Sequence, residues 1–202
     1  AGRYNPAGHY IRAWNGVRQG VAIVDCLMNL PLLYWAAQEN ESPAWKQIAI
    51  EHTEMALRYI LRPDGSSNHM VDFDPETGEY KDNPGGQGYE SGSSWSRGQS
   101  WAIYGMALAY RYTKNQAYLD AAKRSAHYFM ANVSLNDYIP LLDFRAPKEP
   151  VYIDTTAGAC AACGLLQISE MVPDFEKPLY YDSGVKMLMA LAENHCNWNP
   201  EE

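Results

Sequence analysis

Residues 96–132, SRGQSWAIYGMALAYRYTKNQAYLDAAKRSAHYFMAN, contain two segments with helical periodicity. Apolar side chains recur at helical spacing through residues 96–112 and again through residues 116–132. The link between the two segments, Thr113-Lys114-Asn115, is short. The stretch therefore predicts a helical hairpin, and it makes an all-α fold the expectation for the chain.

The same periodicity recurs on both sides of this hairpin. Further helices are predicted over residues 21–38, 43–61, 155–171 and 178–194. Ser42 and Pro43 suit the N-cap and the first position of one of these helices. Pro31 predicts a kink in the first helix or a helix start close to it. Short links within three helix pairs and longer links between them predict stacked hairpins in a bundle, solenoid or toroid.

One long connection, residues 62–95, interrupts the helical pattern. Within it, the segments 70–73 and 79–80 flank the turn residues 74–78, which predicts a short β-hairpin. The glycine-rich residues 83–88 follow as irregular backbone. A loop of this length in a helical domain is usually functional or disordered, and its His, Gln, Tyr, Trp and Arg content favours function.

The composition excludes several classes of protein. The net charge of −8 disfavours nucleic-acid and anionic-membrane partners, because a basic patch is the usual footprint of either. No apolar stretch is long enough to span a bilayer, and no signal-peptide pattern opens the chain. Four cysteines are too few for a disulfide scaffold and favour a reducing compartment. The cytoplasm is therefore the expected location, with the periplasm as the alternative.

Two motifs resemble metal-binding sites but lack some of the ligands that such a site requires. Cys160-Ala-Ala-Cys163 has no second ligand pair at zinc spacing, so it is interpreted as close packing in a helix rich in small residues. Residues 72–83 begin like a calcium loop, but Thr77 occupies the glycine position and Asn83 the position of the bidentate glutamate. No nucleotide, zinc-protease or serine-hydrolase motif is present. These motifs therefore give no support for a metal, nucleotide or serine-hydrolase site.

Asp25 is the first candidate for chemistry. It lies in an otherwise apolar segment, VAIVDCLMNLPLLYW at residues 21–35, where a lone carboxylate would be desolvated and would need a partner. An acid that is kept protonated for catalysis would suit this setting. The alternative is a carboxylate that bonds to backbone N–H groups at the start of a helix. The local sequence leaves both interpretations open.

A second candidate cluster is QGYESGSSWSRGQSW at residues 87–101. The guanidinium of Arg97 can bind a carboxylate through two hydrogen bonds, and Trp95 and Trp101 can stack on a sugar ring. An anionic sugar would engage all three side chains. The alternative is an arginine packed by cation–π contacts between two structural tryptophans.

Together, DCLMNLPLL at residues 25–33 and SWSRGQSW at residues 94–101 resemble glycoside hydrolase family 88, the unsaturated glucuronyl hydrolases. The resemblance continues through AIYG at residues 102–105, the segment around His69, and DTTAGA at residues 154–159. Family 105, whose members act on unsaturated rhamnogalacturonides, is related and has a variant of the Trp-x-Arg element. Gly98-Gln99 and residues 29–32 look like the family 88 versions.

The resemblance implies an (α/α)6 six-hairpin toroid. The chain is expected to supply about three of the helix pairs, with a short β-hairpin in its long loop. Residues 1–202 are then one partial domain. A second active-site aspartate and a C-terminal substrate-binding segment of the family have no evident counterpart in these residues.

The resemblance also implies an activity. The substrate would be a lyase-generated oligosaccharide, such as one from a glycosaminoglycan, whose non-reducing uronic acid carries a C4=C5 double bond. A carboxylic acid protonates C4, water adds at C5, and the ring opens to release a 4-deoxy-5-keto uronic acid. Because this chemistry is acid–base throughout, the resemblance implies that no metal and no cofactor is needed. Alternatives are an unsaturated rhamnogalacturonyl hydrolase, a non-catalytic sugar-binding module and an inactive fragment. The sequence makes no prediction of oligomeric state.

Six residues match functional positions of the family. Asp25 matches the acid/base, and His69 matches the histidine near the reacting water and the double bond. Gln87 and Arg97 match polar contacts to the unsaturated sugar or its water. Trp95 and Trp101 match ring-stacking positions.

Overall fold

The computed structural model describes residues 2–199 and is predominantly helical, which confirms the all-α prediction. Ala1 and residues 200–202 of the predicted domain lie outside the described residues. The helices are α1 Leu30–Glu39, α2 Pro43–Met55, α3 Ser96–Thr113, α4 Gln116–Val133, α5 Thr155–Ser169 and α6 Lys177–His195. Within residues 2–199, none of the helices combines the length and apolarity needed to cross a bilayer.

The α3–α4 hairpin forms as the sequence predicts. Lys114 ends α3 in the left-handed conformation, with φ of 59°, and its N–H donates to the carbonyl of Tyr110. Asn115 caps α4 because its side-chain oxygen accepts from the N–H of Ala117 at 3.1 Å. Within the pairs, α1 packs on α2, α3 on α4 and α5 on α6, while α3 also packs on α5. The predicted pairing of the helices is therefore confirmed.

The predicted helix over residues 21–38 was wrong in its first half, and the alternative of a helix start close to Pro31 is confirmed. Val21–Ile23 form strand β3, and Val24–Met28 form a short 3₁₀ segment. The α-helix begins at Leu30, next to Pro31, whose missing N–H costs nothing in the first turn. The β-branched residues before it pair with a second strand, and this tertiary contact overrides the helical periodicity. The next predicted helix is also modified, since α2 ends at Met55 and continues as a π-helical turn over Ala56–Ile60.

A three-stranded antiparallel sheet brings distant parts of the chain together. Its order is β3, then β4 Met70–Phe73, then β5 Tyr80–Asp82. The predicted hairpin is thus confirmed, while its pairing with β3 was not foreseen. Ile23 lies opposite Met70, and the N–H of Val24 donates to the carbonyl of His69 at 3.0 Å. This register places the end of β3 beside the start of β4. A separate two-stranded sheet joins β1 Tyr4–Asn5 to β2 Tyr10–Ile11 and was also not predicted.

Small residues allow the central helices to approach closely. A side chain at Gly105 of α3 would come within 2.6 Å of Leu27, and one at Gly164 of α5 within 2.9 Å of Ile103. The predicted packing role of the two helix cysteines is only partly right. Cys160 is half-buried, and burial raises the pKa of its thiol, whereas Cys163 is exposed.

A buried histidine should make the fold sensitive to acid. His52 is fully buried, its Nδ1 accepts from the N–H of Ile11 at 2.9 Å, and burial lowers the pKa of its imidazole to about 3. An unfolded chain binds this proton near pH 6.5, so the contribution of His52 to stability is complete above that pH and is lost as the pH falls towards 3. The expected slope is about 1.4 kcal/mol per pH unit.

The urea midpoint measured from pH 7 to pH 4 tests this expectation. His52→Asn keeps an acceptor for the N–H of Ile11 but cannot titrate, so its stability should vary less with pH. His195→Asn, which changes an exposed histidine at the end of α6, should keep the original slope. Equal slopes in the two variants would show that His52 is not the titrating group.

Candidate active site

Asp25 and His69 meet where β3 and β4 begin to diverge. Asp25 lies two residues after β3, and His69 lies one residue before β4. The Nε2 atom of His69 is 3.4 Å from Oδ2 of Asp25, which is within ion-pair range but is not a hydrogen bond. The sheet register therefore brings together two residues that are 44 positions apart in the sequence.

The neighbouring loop fixes the tautomer of His69. The backbone N–H of Gln87 donates to Nδ1 of His69 at 2.7 Å. A ring nitrogen that accepts carries no proton, so the neutral imidazole has its proton on Nε2, facing Asp25. Gly86 lies against the ring, because a Cβ there would overlap with Nδ1. His69 is thus oriented by backbone, with only 7% of its side chain exposed.

The two oxygens of Asp25 have different surroundings. Oδ2 is buried and lacks a hydrogen-bond partner among the described residues. Oδ1 is neither buried nor hydrogen-bonded there, and the side chain as a whole is 28% exposed. Asp25 lines a mostly apolar groove, together with residues of α1 and with Ile11, Arg12 and Ile23. The capping alternative is not observed, because no backbone N–H in residues 2–199 donates to this carboxylate.

Cys26 follows Asp25 directly but cannot act as a nucleophile at neutral pH. Burial, and then the nearby charge of Asp25, raises the pKa of its thiol to about 12. The thiolate is the reactive form of cysteine, and here it is suppressed. The carboxylate of Asp25 is therefore the candidate for chemistry in this segment.

Three side chains from the start of α3 form the next part of the site. The ring of Trp95 lies 4.9 Å from that of His69 and 5.2 Å from that of Trp101, measured between centroids. The Cζ atom of Arg97 is 5.5 Å from the centroid of Trp95. Trp95 is only 4% exposed, so it supports the other rings and offers little open face to a sugar. Trp101 is half-buried and has more surface available.

Arg97 has a partner that sequence reasoning missed. Its Nε donates to Oδ2 of Asp154 at 2.9 Å, and the Asp154 side chain is 2% exposed. The cation–π alternative is therefore present in part, alongside a salt bridge. The sequence indicated Asp154 only as part of the segment that resembles the family. Its position directly before a predicted helix was a usable N-cap signal, but that signal did not indicate Arg97.

A second buried aspartate holds the loop that leads into α3. The carboxylate of Asp143 accepts from the backbone N–H groups of Tyr89 and Ser94 and from the hydroxyl of Ser93. Arg62 binds the same loop through the carbonyl of Gly92 at 2.6 Å. The partners of Asp143 lie about 50 residues earlier in the chain, so no local pattern could have indicated this role.

The structure thus brings together five of the six predicted site side chains. Asp25, His69, Trp95, Arg97 and Trp101 form a continuous chain of contacts. Gln87 differs because its contact with His69 is made by its backbone, while the residue itself is exposed. Within residues 2–199, no three potential ligands among His, Cys, Asp and Glu cluster in a way that could hold a metal ion. The aspartate can donate and accept one proton, and the guanidinium of Arg97 is connected to the Asp25–His69 pair through the ring of Trp95.

The chain is similar to proteins of known structure and activity. The sequence profile described as Glycosyl Hydrolase Family 88 matches residues 8–143. An unsaturated glucuronyl hydrolase from Bacillus sp. GL1 is 38% identical over 204 residues, which cover 96% of this chain and 53% of that protein. A crystal structure of unsaturated glucuronyl hydrolase from Bacillus sp. GL1 matches with a TM-score of 0.95 and 37% identity, covering 99% of this chain and 55% of that chain.

Streptococcal proteins with related names also match this chain. An unsaturated chondroitin disaccharide hydrolase from Streptococcus pyogenes serotype M1 is 34% identical over 202 residues, covering 96% of this chain and 50% of that protein. A mutant unsaturated glucuronyl hydrolase from Streptococcus agalactiae, solved in complex with dGlcA-GalNAc6S, matches with a TM-score of 0.77 and 32% identity. That match covers 88% of this chain and 48% of the other. The chain spans about half the length of the curated relatives it matches.

Proposed function

Because this chain belongs to glycosyl hydrolase family 88, we propose that it carries part of the active site of an unsaturated glucuronyl hydrolase. The reaction is hydration of the C4=C5 double bond in a non-reducing unsaturated uronic acid of a lyase-generated oligosaccharide. One observation carries the proposal: Oδ2 of Asp25 lies 3.4 Å from Nε2 of His69, while the side chain is 28% exposed and lines an open groove. A proton donor for C4 needs this exposure.

The chemistry assigned to Asp25 is acid–base catalysis. In the protonated acid, Oδ1 carries the proton, because Oδ2 faces the N–H of His69. Transfer of this proton to C4 leaves an electron-deficient C5, which the ring oxygen stabilises. Water adds at C5 while the carboxylate takes up one of its protons, so the acid is regenerated. The resulting hemiketal opens, the bond to the neighbouring sugar breaks, and the 4-deoxy-5-keto uronic acid is released.

Arg97 is assigned to the anionic part of the substrate. Its side chain is 35% exposed, and only its Nε is engaged by protein, so its two terminal nitrogens are available for a carboxylate. A guanidinium in direct contact outweighs the diffuse charge of −8, because surface charges beyond a Debye length are screened. Trp101 is assigned to stacking on the sugar, and the side chain of Gln87 to a polar contact at the rim.

The relatives support a substrate class. Their names specify glucuronyl and chondroitin disaccharide substrates, and one structure holds dGlcA-GalNAc6S. Unsaturated disaccharides from glycosaminoglycans are therefore the substrates we propose. We also propose that residues 1–202 form about three helix pairs of one larger toroidal domain. A cytoplasmic location stays a prediction from the cysteine content.

An absorbance assay on the full-length protein tests this function. The C4=C5 bond conjugated to the uronate carboxylate absorbs in the ultraviolet, and hydration removes that absorbance. We expect absorbance to fall with unsaturated chondroitin or hyaluronan disaccharides and to stay constant with unsaturated rhamnogalacturonyl disaccharides. The reverse preference would indicate the activity of the related family 105. Binding without loss of absorbance would indicate a non-catalytic module.

A further inference from the structure

Arg97 occupies a position in α3 that is electrostatically unfavourable for a cation. It is the second residue of the helix, where the unpaired N–H groups create a partial positive charge. A free arginine there would turn towards solvent. Its orientation therefore depends on contacts that its side chain makes with other groups. Two are present, the ring of Trp95 and the carboxylate of Asp154.

Each oxygen of the Asp154 carboxylate accepts one hydrogen bond. Oδ1 accepts from the backbone N–H of Ala157 at 3.0 Å and so caps α5. Oδ2 accepts from Nε of Arg97 at 2.9 Å. With only 2% of the side chain exposed, this carboxylate is out of reach of a substrate in the cleft. It can affect a reaction only through Arg97.

The geometry of the salt bridge leaves the rest of the guanidinium free. Asp154 engages Nε, and among residues 2–199 no other acceptor bonds to this guanidinium. A carboxylate that bound the two terminal nitrogens would instead have occupied the pair of N–H₂ groups that recognises anions, here called the fork. Engagement of Nε alone holds the guanidinium plane in place and directs the fork outwards. This distinguishes a positioning contact from one that only neutralises charge.

We infer that Asp154 is a positioning residue that aims Arg97 at the anionic group of the substrate. The inference rests on the function proposed above and deepens it. The start of α5 thereby becomes part of the substrate-binding apparatus, although it contributes no atom that touches the substrate.

Asp154→Asn tests the inference in the full-length protein. Asparagine is a good N-cap, so α5 stays capped, but the charged hydrogen bond to Arg97 is lost. We expect KM for an unsaturated chondroitin disaccharide to rise about tenfold, with kcat changed by less than about threefold. In an Arg97→Lys background the same substitution should raise KM much less, because lysine has no Nε–H to position. Asp154→Ser, which also keeps a cap, replaces Asp154→Asn if the latter folds poorly.

The controls distinguish a positioning role of Asp154 from a role in fold stability and from simple neutralisation of the Arg97 charge. Asn115→Ala removes the cap of α4 and should lower the melting temperature without moving KM. If Asp154 only neutralised Arg97, its replacement would free a cation and lower KM, and that result or an unchanged KM would overturn the inference. Absence of turnover in the wild type would refute the proposed function instead. Calorimetric affinities for the same disaccharide, compared between wild type and Asp154→Asn, would then decide the role of Asp154.

Discussion

Replacing Asp25 with asparagine should lower kcat for unsaturated chondroitin disaccharides by about 10²- to 10⁴-fold. Asparagine has nearly the same shape and can still place an oxygen towards Nε2 of His69. Its amide cannot deliver a proton to C4 or take one from water. The expected loss is therefore in the chemical step, and KM should change little.

Two measurements make this expectation specific to the reaction. Calorimetry should show that Asp25→Asn binds the disaccharide with nearly wild-type affinity, and circular dichroism should show unchanged helix content. Asp120→Asn, which alters an exposed aspartate on α4, should retain full activity. If Asp25→Asn kept substantial turnover, the proton donor would have to be another group, and the assignment of Asp25 would fail.

Helices that pack through their own amphipathic faces were predictable from the sequence. The α3–α4 hairpin is an example, since its periodicity, its short link and the cap at Asn115 all agree. The structure of residues 21–28 was not predictable in this way, because Val21–Ile23 pair with a strand about 50 positions away. A window of local sequence contains no information about that partner. The sheet of β1 and β2 was missed for a different reason: its strands are close in the sequence but only two residues long, too short to show an alternating pattern.

In the candidate site, too, individual residues could be predicted from the sequence, whereas contacts between distant residues could not. Resemblance to a family supplied Asp25, His69 and Arg97 as separate positions, but the contact between Asp25 and His69 depends on the register of β3 and β4. The supporting carboxylates, Asp143 and Asp154, came from the structure, because each acts on residues about 50 positions away. Side chains that position others leave weak local signals, since their partners are set by tertiary packing.

The Trp-x-Arg-Gly-Gln-x-Trp element mixes structural and functional residues. Gln99 is fully buried and donates to the carbonyl of Gly65, so it joins α3 to the long loop. Gly98 has no room for a side chain, since a Cβ would come within 2.9 Å of Trp95 and 3.2 Å of Val24. Only Arg97 and Trp101 in this element have substantial surface open to a ligand. A specific motif can therefore identify a family while most of its residues serve packing.

Gly86→Ala should disable the site without changing any group that takes part in the chemistry. The added methyl group would overlap with Nδ1 of His69 and would lie 2.7 Å from Cε of Met70. Relief of that overlap requires the imidazole to move or the loop to withdraw, and either breaks the hydrogen bond from Gln87. A displaced His69 no longer holds Asp25 in place. We expect kcat to fall by about 10²-fold, because small misplacements of catalytic groups carry costs of that size.

A control substitution in the same loop and a double variant distinguish displacement of His69 from a general disturbance of the loop. At Gly85 a methyl group would lie 3.2 Å from the backbone nitrogen of Ser91 and would not touch His69. Gly85→Ala stiffens the same loop, so it should keep most of the activity. His69→Ala should itself lower kcat, and adding Gly86→Ala to it should cost little more, because both substitutions act through one imidazole. If the losses in kcat of the two single variants added fully in the double variant, Gly86 would affect activity independently of His69. The backbone of residues 86–87 would then lose its assigned role in orienting His69.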